Sequence, residues 1–201
     1  MLTTLTAKYD MNFGKHTINL LAGTSYEHYN YERLYSKRTD FVSDGLEDIE
    51  QGNEVSKETP GGNSIVESKM LSYFGRVNYS YNDRYLLEVN VRADGSSRFY
   101  KNNRWGVFPS VSAGWRISEE SFMKSIKWIN NMKLRASYGT LGNINNVGYY
   151  DYFQLLSSSA NYNFSDTAVK GVLEAQIPNT SLGWEKVALT DIGFDLDIFN
   201  N

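Results

Sequence analysis

The stretch "SYFGRVNYSYNDRYLLEVNVRADGSSRF", Ser72 to Phe99, sets apolar and aromatic side chains at nearly every odd position from Tyr73 to Ala93, with mostly polar ones between them. Successive side chains of a strand point to opposite faces, so this alternation describes two strands, each with one apolar and one polar face. The two halves meet at Asn82-Asp83-Arg84, and a three-residue turn there sets Tyr81 opposite Tyr85. Tyr73 to Tyr81 and Tyr85 to Ala93 are nine residues each. That approaches the about 9 to 11 residues of a tilted membrane strand and exceeds the about 5 or 6 of a typical soluble one.

The same period recurs on either side. Leu5, Ala7, Tyr9, Met11 and Phe13 alternate, and Ile18, Leu20, Ala22 and Tyr26 resume after "GKHT", which reads as a hairpin with a tight turn. From Asn30 to about Ser68 the pattern gives way to a polar stretch, expected as one long exposed loop. After the polar connection "DGSSRFYKNNR", Val107, Val111, Ala113, Trp115 and Ile117 mark another strand. Pro109 cannot donate to a ladder and is expected at that strand's beginning or at a bulge. "SEESFMKSIKWINN" changes period: Ser118 can cap, Glu119 and Glu120 suit a first turn, and Phe122, Ile126 and Ile129 share one helical face, predicting a short helix. Met132 to Tyr138 and Ile192 to Ile198 alternate again.

Composition narrows the function. The 201 residues are 41% hydrophobic and 21% charged, as in a folded chain, and their net charge of -3 offers no basic surface, so nucleic acid is not an expected partner. Cysteine is absent, which removes disulfides, thiolate metal sites and Cys nucleophiles. No apolar run of about 18 residues exists for a membrane helix, whereas a β-barrel needs none, because only alternate residues of its strands meet lipid. Fifteen Tyr, 10 Phe and 4 Trp favour strands, where broad rings pack on a pleated surface.

Connection lengths supply direction. Brief connections follow Phe13, Tyr81 and Phe199, and long polar ones follow Tyr26, Ala93 and Tyr138, the asymmetry of an outer-membrane barrel with short inner turns and long outer loops. The helical link then enlarges an inner turn. Parity requires that Tyr149 to Leu156 either stay within the outer loop Leu141 to Glu185 or pair with a second crossing near Val169 to Ala175; the loop is preferred. Phe13, Tyr81, Tyr85, Trp115 and Phe199 gather near the short turns, as an interfacial girdle does. Alternation alone still permits a soluble β-sandwich adhesin or carbohydrate-binding module.

"YLLEVNVRADGSSRF", "NNRWGVFPSVSAGWRISEESFM", "INNMKLRASYGTLGN" and "SLGWEKVALTDIGFDLDIFNN" resemble the SusC/RagA family of TonB-dependent outer-membrane transporters, over about Leu71 to Asn201. The resemblance implies an all-β fold: an antiparallel transmembrane β-barrel segment, in which residues 1–201 supply about seven spanning strands of a barrel of about 22. The plug domain, the TonB box and the C-terminal strands would lie outside these residues. It further implies a SusD-like lipoprotein partner, energy from the TonB complex, a place in the cell outer membrane of Bacteroidota, and import of glycans or peptides without a cofactor. Seven strands leave two open edges that lipid cannot satisfy, so this segment alone is not expected to transport.

Candidate sites are few. On the polar face Arg92, Arg116 and Arg135 could line a substrate path, the alternative being a charge ladder within the wall. In the outer loop Tyr149, Tyr150 and Tyr152 could stack on sugar rings or pack against the lipoprotein. His16 and His28 have no clustered partner, and "EDIEQGNE", Glu47 to Glu54, fits no EF-hand spacing, so no metal site is expected. Ser96 and Ser97 have no local base, and "DGSSRF" reads as a turn shaped by Asp94 and Gly95. The N-x-S patterns at Asn78, Asn163 and Asn179 read as incidental. No nucleophile and base constellation marks an enzyme.

Overall fold

The structure, a computed structural model, describes residues 1–36, 41, 61–164 and 167–199. Nine strands are found among them: β1 (Leu2–Phe13), β2 (His16–Ser36), β3 (Gly61–Tyr81), β4 (Tyr85–Ser96), β5 (Trp105–Arg116), β6 (Ile129–Asn143), β7 (Leu156–Phe164), β8 (Thr167–Glu174) and β9 (Glu185–Ile198). Seven form one sheet in the order β1-β2-β3-β4-β5-β6-β9, and β7 and β8 form a separate two-stranded sheet. The long sheet is an up-and-down meander, the wall of a barrel segment whose edges in this chain are β1 and β9.

The chain divides into two compact units, Met1–Glu27 with Lys69–Asn201, and His28–Ser68. In the second, His28 Nε2 lies 2.8 Å from Glu67 Oε1. The expectation of a loop from Asn30 to Ser68 is corrected at both ends, since β2 continues to Ser36 and β3 begins at Gly61. The apolar residues of β2 up to Tyr26 are even, whereas Tyr29 and Tyr31 are odd and Leu34 is even again, so the alternation that marks the strand breaks there. The acidic run Glu47 to Glu54 lies outside the described residues.

Register in the first unit follows from the turns. Gly14 takes φ +62° in the tight turn that sets Phe13 opposite His16, so His16 opens β2 rather than lying in the turn. Asn82 and Asp83 take φ of 51° and 53°, a left-handed conformation that short polar side chains tolerate, and Tyr81 is set opposite Tyr85. Tyr85 then faces Trp115, which faces Leu134, so the odd residues of β3, β4 and β5 and the even residues of β6 share the apolar face. This face stays exposed in the segment: Val77, Val89, Val111, Leu134 and Ile192 are all open, as lipid-facing positions of a barrel wall are.

Two expectations fail for identifiable reasons. Pro109 is the fifth residue of β5, opposite Val91 in an unbroken register, neither a strand start nor a bulge. Arg116 donates its N–H to Arg84 O at 2.8 Å, so even residues of β5 donate toward β4 and odd ones toward β6. The ladder with β6 ends at Ser110, and the missing donor of Pro109 therefore faces a place where no ladder partner remains.

The predicted helix between β5 and β6 is instead a single 3₁₀ turn at Ile117–Glu119 followed by further turns. Met123 N donates to Glu120 O at 3.0 Å and Ile126 N to Met123 O at 2.9 Å. Glu120, Met123, Ile126 and Ile129 are half-buried and the residues between them exposed, a repeat of three rather than the 3.6 of an α-helix. Twelve residues pinned at both ends to neighbouring strands leave little length for a stable α-helix.

Candidate functional site

The polar face begins as backbone geometry. Even residues of β3, β4 and β5 and odd residues of β6 and β9 project opposite to the apolar side. Pairing across strands then organises their charges. Arg92 Nε donates to both carboxylate oxygens of Asp94 at 2.8 Å, its Nη2 donates to Ser72 Oγ at 3.0 Å, and its guanidinium lies 5.7 Å above the Phe74 ring. Arg76 donates to Asn90 Oδ1 at 2.7 Å, and Asn90 Nδ2 donates to Glu88 at 2.8 Å. Arg135 meets Asp191 and Asp195, each at 3.4 Å, and stands over Gly193.

Two adjoining hollows lie on this face. One includes Arg92, Asp94, Asn90 and Phe108, the other Arg135, Lys133 and Asn78, and both share Glu88, Ser112, Ser137 and Asp191. Arg92 and Arg135 thus fall on one polar trough. Arg116 does not: it lies at the inner end, its Nη1 3.5 Å from Asp83 O. The trough offers hydroxyls, amides and both signs of charge, equipment for hydrogen bonding to a polar solute or to protein, not for bond breaking.

At the outer end the wall has a small core. Phe99 is fully buried and Phe108 nearly so, with Ser72, Asp94 and Ser96 buried beside them. The Trp184 ring lies 5.4 Å from Phe99 and 5.3 Å from Phe108, and its indole N–H donates to Arg104 O at 2.8 Å. Phe108 packs against Gly106 and Gly142, where a methyl group would collide with its ring. Asp94 and Gly95 are strand residues of β4, not the turn expected in "DGSSRF". The turn falls later, because Ser96 N reaches Arg104 O at 3.1 Å.

This core carries the tyrosine loop. Residues 149–155 contain no strand, and β7 and β8 pair only with each other. Arg98 lies 4.1 Å over the Tyr149 ring and donates to Val147 O at 3.2 Å. The Tyr152 ring lies tilted at 4.5 Å from Phe153, and Tyr100 lies 6.3 Å from Tyr152. Tyr150 is exposed, 6.4 Å from Phe153, and its carbonyl accepts from Gln176 Nε2 at 3.3 Å. The structure gathers Tyr149, Tyr150 and Tyr152 with Tyr100 and Phe153, two rings that sequence reasoning passed over. The signal was available in "RFYKNNRW", which interleaves aromatic and cationic residues in the connection assigned only as polar.

The inner end holds a second unforeseen arrangement. Glu120 accepts from the Tyr85 hydroxyl at 2.7 Å, from Trp115 Nε1 at 3.2 Å and from Arg84 Nη1 at 3.3 Å. The Tyr85 hydrogen bond above all, then that of Trp115, with the charge of Arg84 adding, holds its carboxyl below the usual carboxylate value. His16 Nδ1 lies 2.8 Å from the Tyr79 hydroxyl, and its ring stacks 5.1 Å from Phe13. Among the described residues no group of three His, Cys, Asp or Glu is placed to hold a metal.

The family described as TonB dependent receptor-like, beta-barrel, matches residues 2–201. TonB-dependent receptor P39 of Formosa agariphila is 37% identical over 192 residues, 95% of this chain and 18% of its own length. TonB-dependent receptor SusC of Bacteroides thetaiotaomicron is 38% identical over 138 residues, 67% of this chain and 14% of its own length. The RagAB peptide transporter superposes with a TM-score of 0.87 at 30% identity, covering 99% of this chain and 22% of that one. The chain therefore spans about a fifth of the length of the proteins it matches.

Proposed function

Because the chain belongs to the TonB-dependent receptor β-barrel family, we propose that it forms part of the wall of an outer-membrane transporter importing nutrients in Bacteroidota. Family membership sets it among receptors and transporters rather than enzymes. In this reading the plug, the TonB box and the remaining strands belong to other parts of the same protein, and TonB supplies the energy. A SusD-like lipoprotein closes the outer side, and the cargo is an oligosaccharide or a peptide. The observation that carries the proposal is the superposition of nearly the whole chain on the RagAB peptide transporter. In this reading the apolar face meets lipid and the polar trough faces the lumen.

Within that reading the two trough arginines differ. Arg92 is committed to the nearly buried Asp94 and to Ser72, whereas Arg135 pairs only with two exposed carboxylates. Arg135 is the better placed of the two to meet a passing solute or the plug. Among the tyrosines Tyr150 is the most exposed, and Tyr149 lies under Arg98.

The test is deletion of the whole gene, followed by growth on single oligosaccharides and peptides and by purification of a tagged copy from outer membranes. Loss of growth on one class, with co-purification of a lipoprotein, is expected. A soluble gene product, or unchanged growth on every source, would overturn it.

A further inference from the structure

The connection between β5 and β6 exposes two unlike edges, although Trp128 also stacks on Phe199 at 6.3 Å. Its repeat of three stacks every third residue. Glu120, Met123, Ile126 and Ile129 turn toward the protein; Lys124 and Lys127 form a cationic edge; Phe122 and Trp128, with Ser125 between them, form a largely aromatic one. Phe122 is 61% exposed and Trp128 53%, unusual for such residues in an aqueous connection.

The side of the wall on which it starts is fixed by hydrogen bonds. Tyr85 and Trp115 lie on the apolar face, in register with each other and in line with Val89 and Val111. Glu120 accepts from both, at 2.7 and 3.2 Å, so the connection leaves β5 toward the apolar side rather than into the polar trough. Arg84 answers the charge of Glu120 at 3.3 Å. Two exposed lysines then outnumber the one remaining carboxylate of the connection, Glu119. Exposed aromatic rings beside lysines, next to a lipid-facing girdle, are the composition of an interfacial anchor: rings favour the headgroup level, and lysines carry their charge to the phosphates.

We propose that this connection is a phospholipid-binding step on the inner leaflet, in which Lys124 and Lys127 hold the phosphate of an anionic lipid and Phe122 enters the acyl boundary. The inference rests on the outer-membrane reading above.

The test uses the complete receptor reconstituted in vesicles of phosphatidylethanolamine with phosphatidylglycerol, then extracted for native mass spectrometry of retained lipid. Wild-type protein should keep phosphatidylglycerol in preference to phosphatidylethanolamine, and K124Q/K127Q should lose that preference, by about fivefold for each lysine removed. K124R/K127R should restore it, and Phe122→Ser should weaken retention of both lipids. Equal retention by K124Q/K127Q in a barrel that has inserted normally overturns the proposal alone. Failure of wild-type protein to insert at all overturns the outer-membrane reading instead.

Discussion

The carboxylate of Glu120 accepts the Tyr85 hydroxyl at 2.7 Å, joining an inner connection to a ring of the girdle 35 positions earlier. Its folded pKa is lowered, chiefly by that bond. A carboxyl with a depressed folded pKa stabilises the protein above its unfolded value and loses that contribution as pH falls through the folded one. The thermal midpoint of the complete receptor in detergent should therefore drop on acidification through and below the ordinary carboxylate range. Glu120→Gln should start lower at neutral pH and show a smaller acid drop; identical pH profiles would refute the assignment.

The strand crossing at Gly23 admits no side chain. A methyl group there would lie 2.5 Å from the Phe74 ring and 2.9 Å from the Leu5 carbonyl oxygen, and the second of these is backbone that cannot swing aside. Gly23→Ala should cost about 1–3 kcal/mol, as overpacking does. Adding Phe74→Leu should recover part of the loss but not all, because the carbonyl remains. Denaturant midpoints of the single and double variants decide it.

The two trough arginines should separate stability from uptake. Removing Arg92 strands the nearly buried Asp94, at a cost of about 1–3 kcal/mol. Arg135 pairs with exposed carboxylates, so Arg135→Gln should change stability by no more than about 1 kcal/mol. If Arg135 meets solute, uptake by Arg135→Gln falls while its midpoint hardly moves. Unchanged uptake would leave Arg135 a rung of the wall.

Much of the wall was legible because its signal is local. Tyr81 opposite Tyr85 followed from a three-residue turn, and the alternation from Tyr73 to Ala93 showed which face Val77 and Val89 would share. What stayed hidden depends on partners distant in sequence. Phe99 is buried by Trp184, 85 positions later, and a lone Phe in "SSRFYKNN" carries no period to announce it. The link after β5 misled for another reason: Phe122, Ile126 and Ile129 fit an α-helical face, but Glu120 is held by Tyr85 and Trp115, and the chain follows that tether with a repeat of three. Arg92 was recognisable as a polar-face residue, yet its commitment to Asp94 and Ser72 needed the register of β3 on β4.

The outer core makes the last prediction. Phe99, in the connection that follows β4, is wholly buried against Trp184, which approaches before β9. Phe99→Ala removes most of its side chain from a packed site and should cost about 3–5 kcal/mol locally. The loss falls on contacts that hold the outer connection, not on the ladder between β4 and β5, whose register ends at Gly95 opposite Trp105. Limited proteolysis of the complete receptor should therefore cut sooner after Arg98, Lys101 or Arg104, with the barrel still resistant. Trp184→Phe, which keeps a smaller ring against Phe99 and loses the bond to Arg104 O, should be cut at an intermediate rate. Equal resistance of Phe99→Ala and wild type would show that the connection is held by its backbone bonds alone.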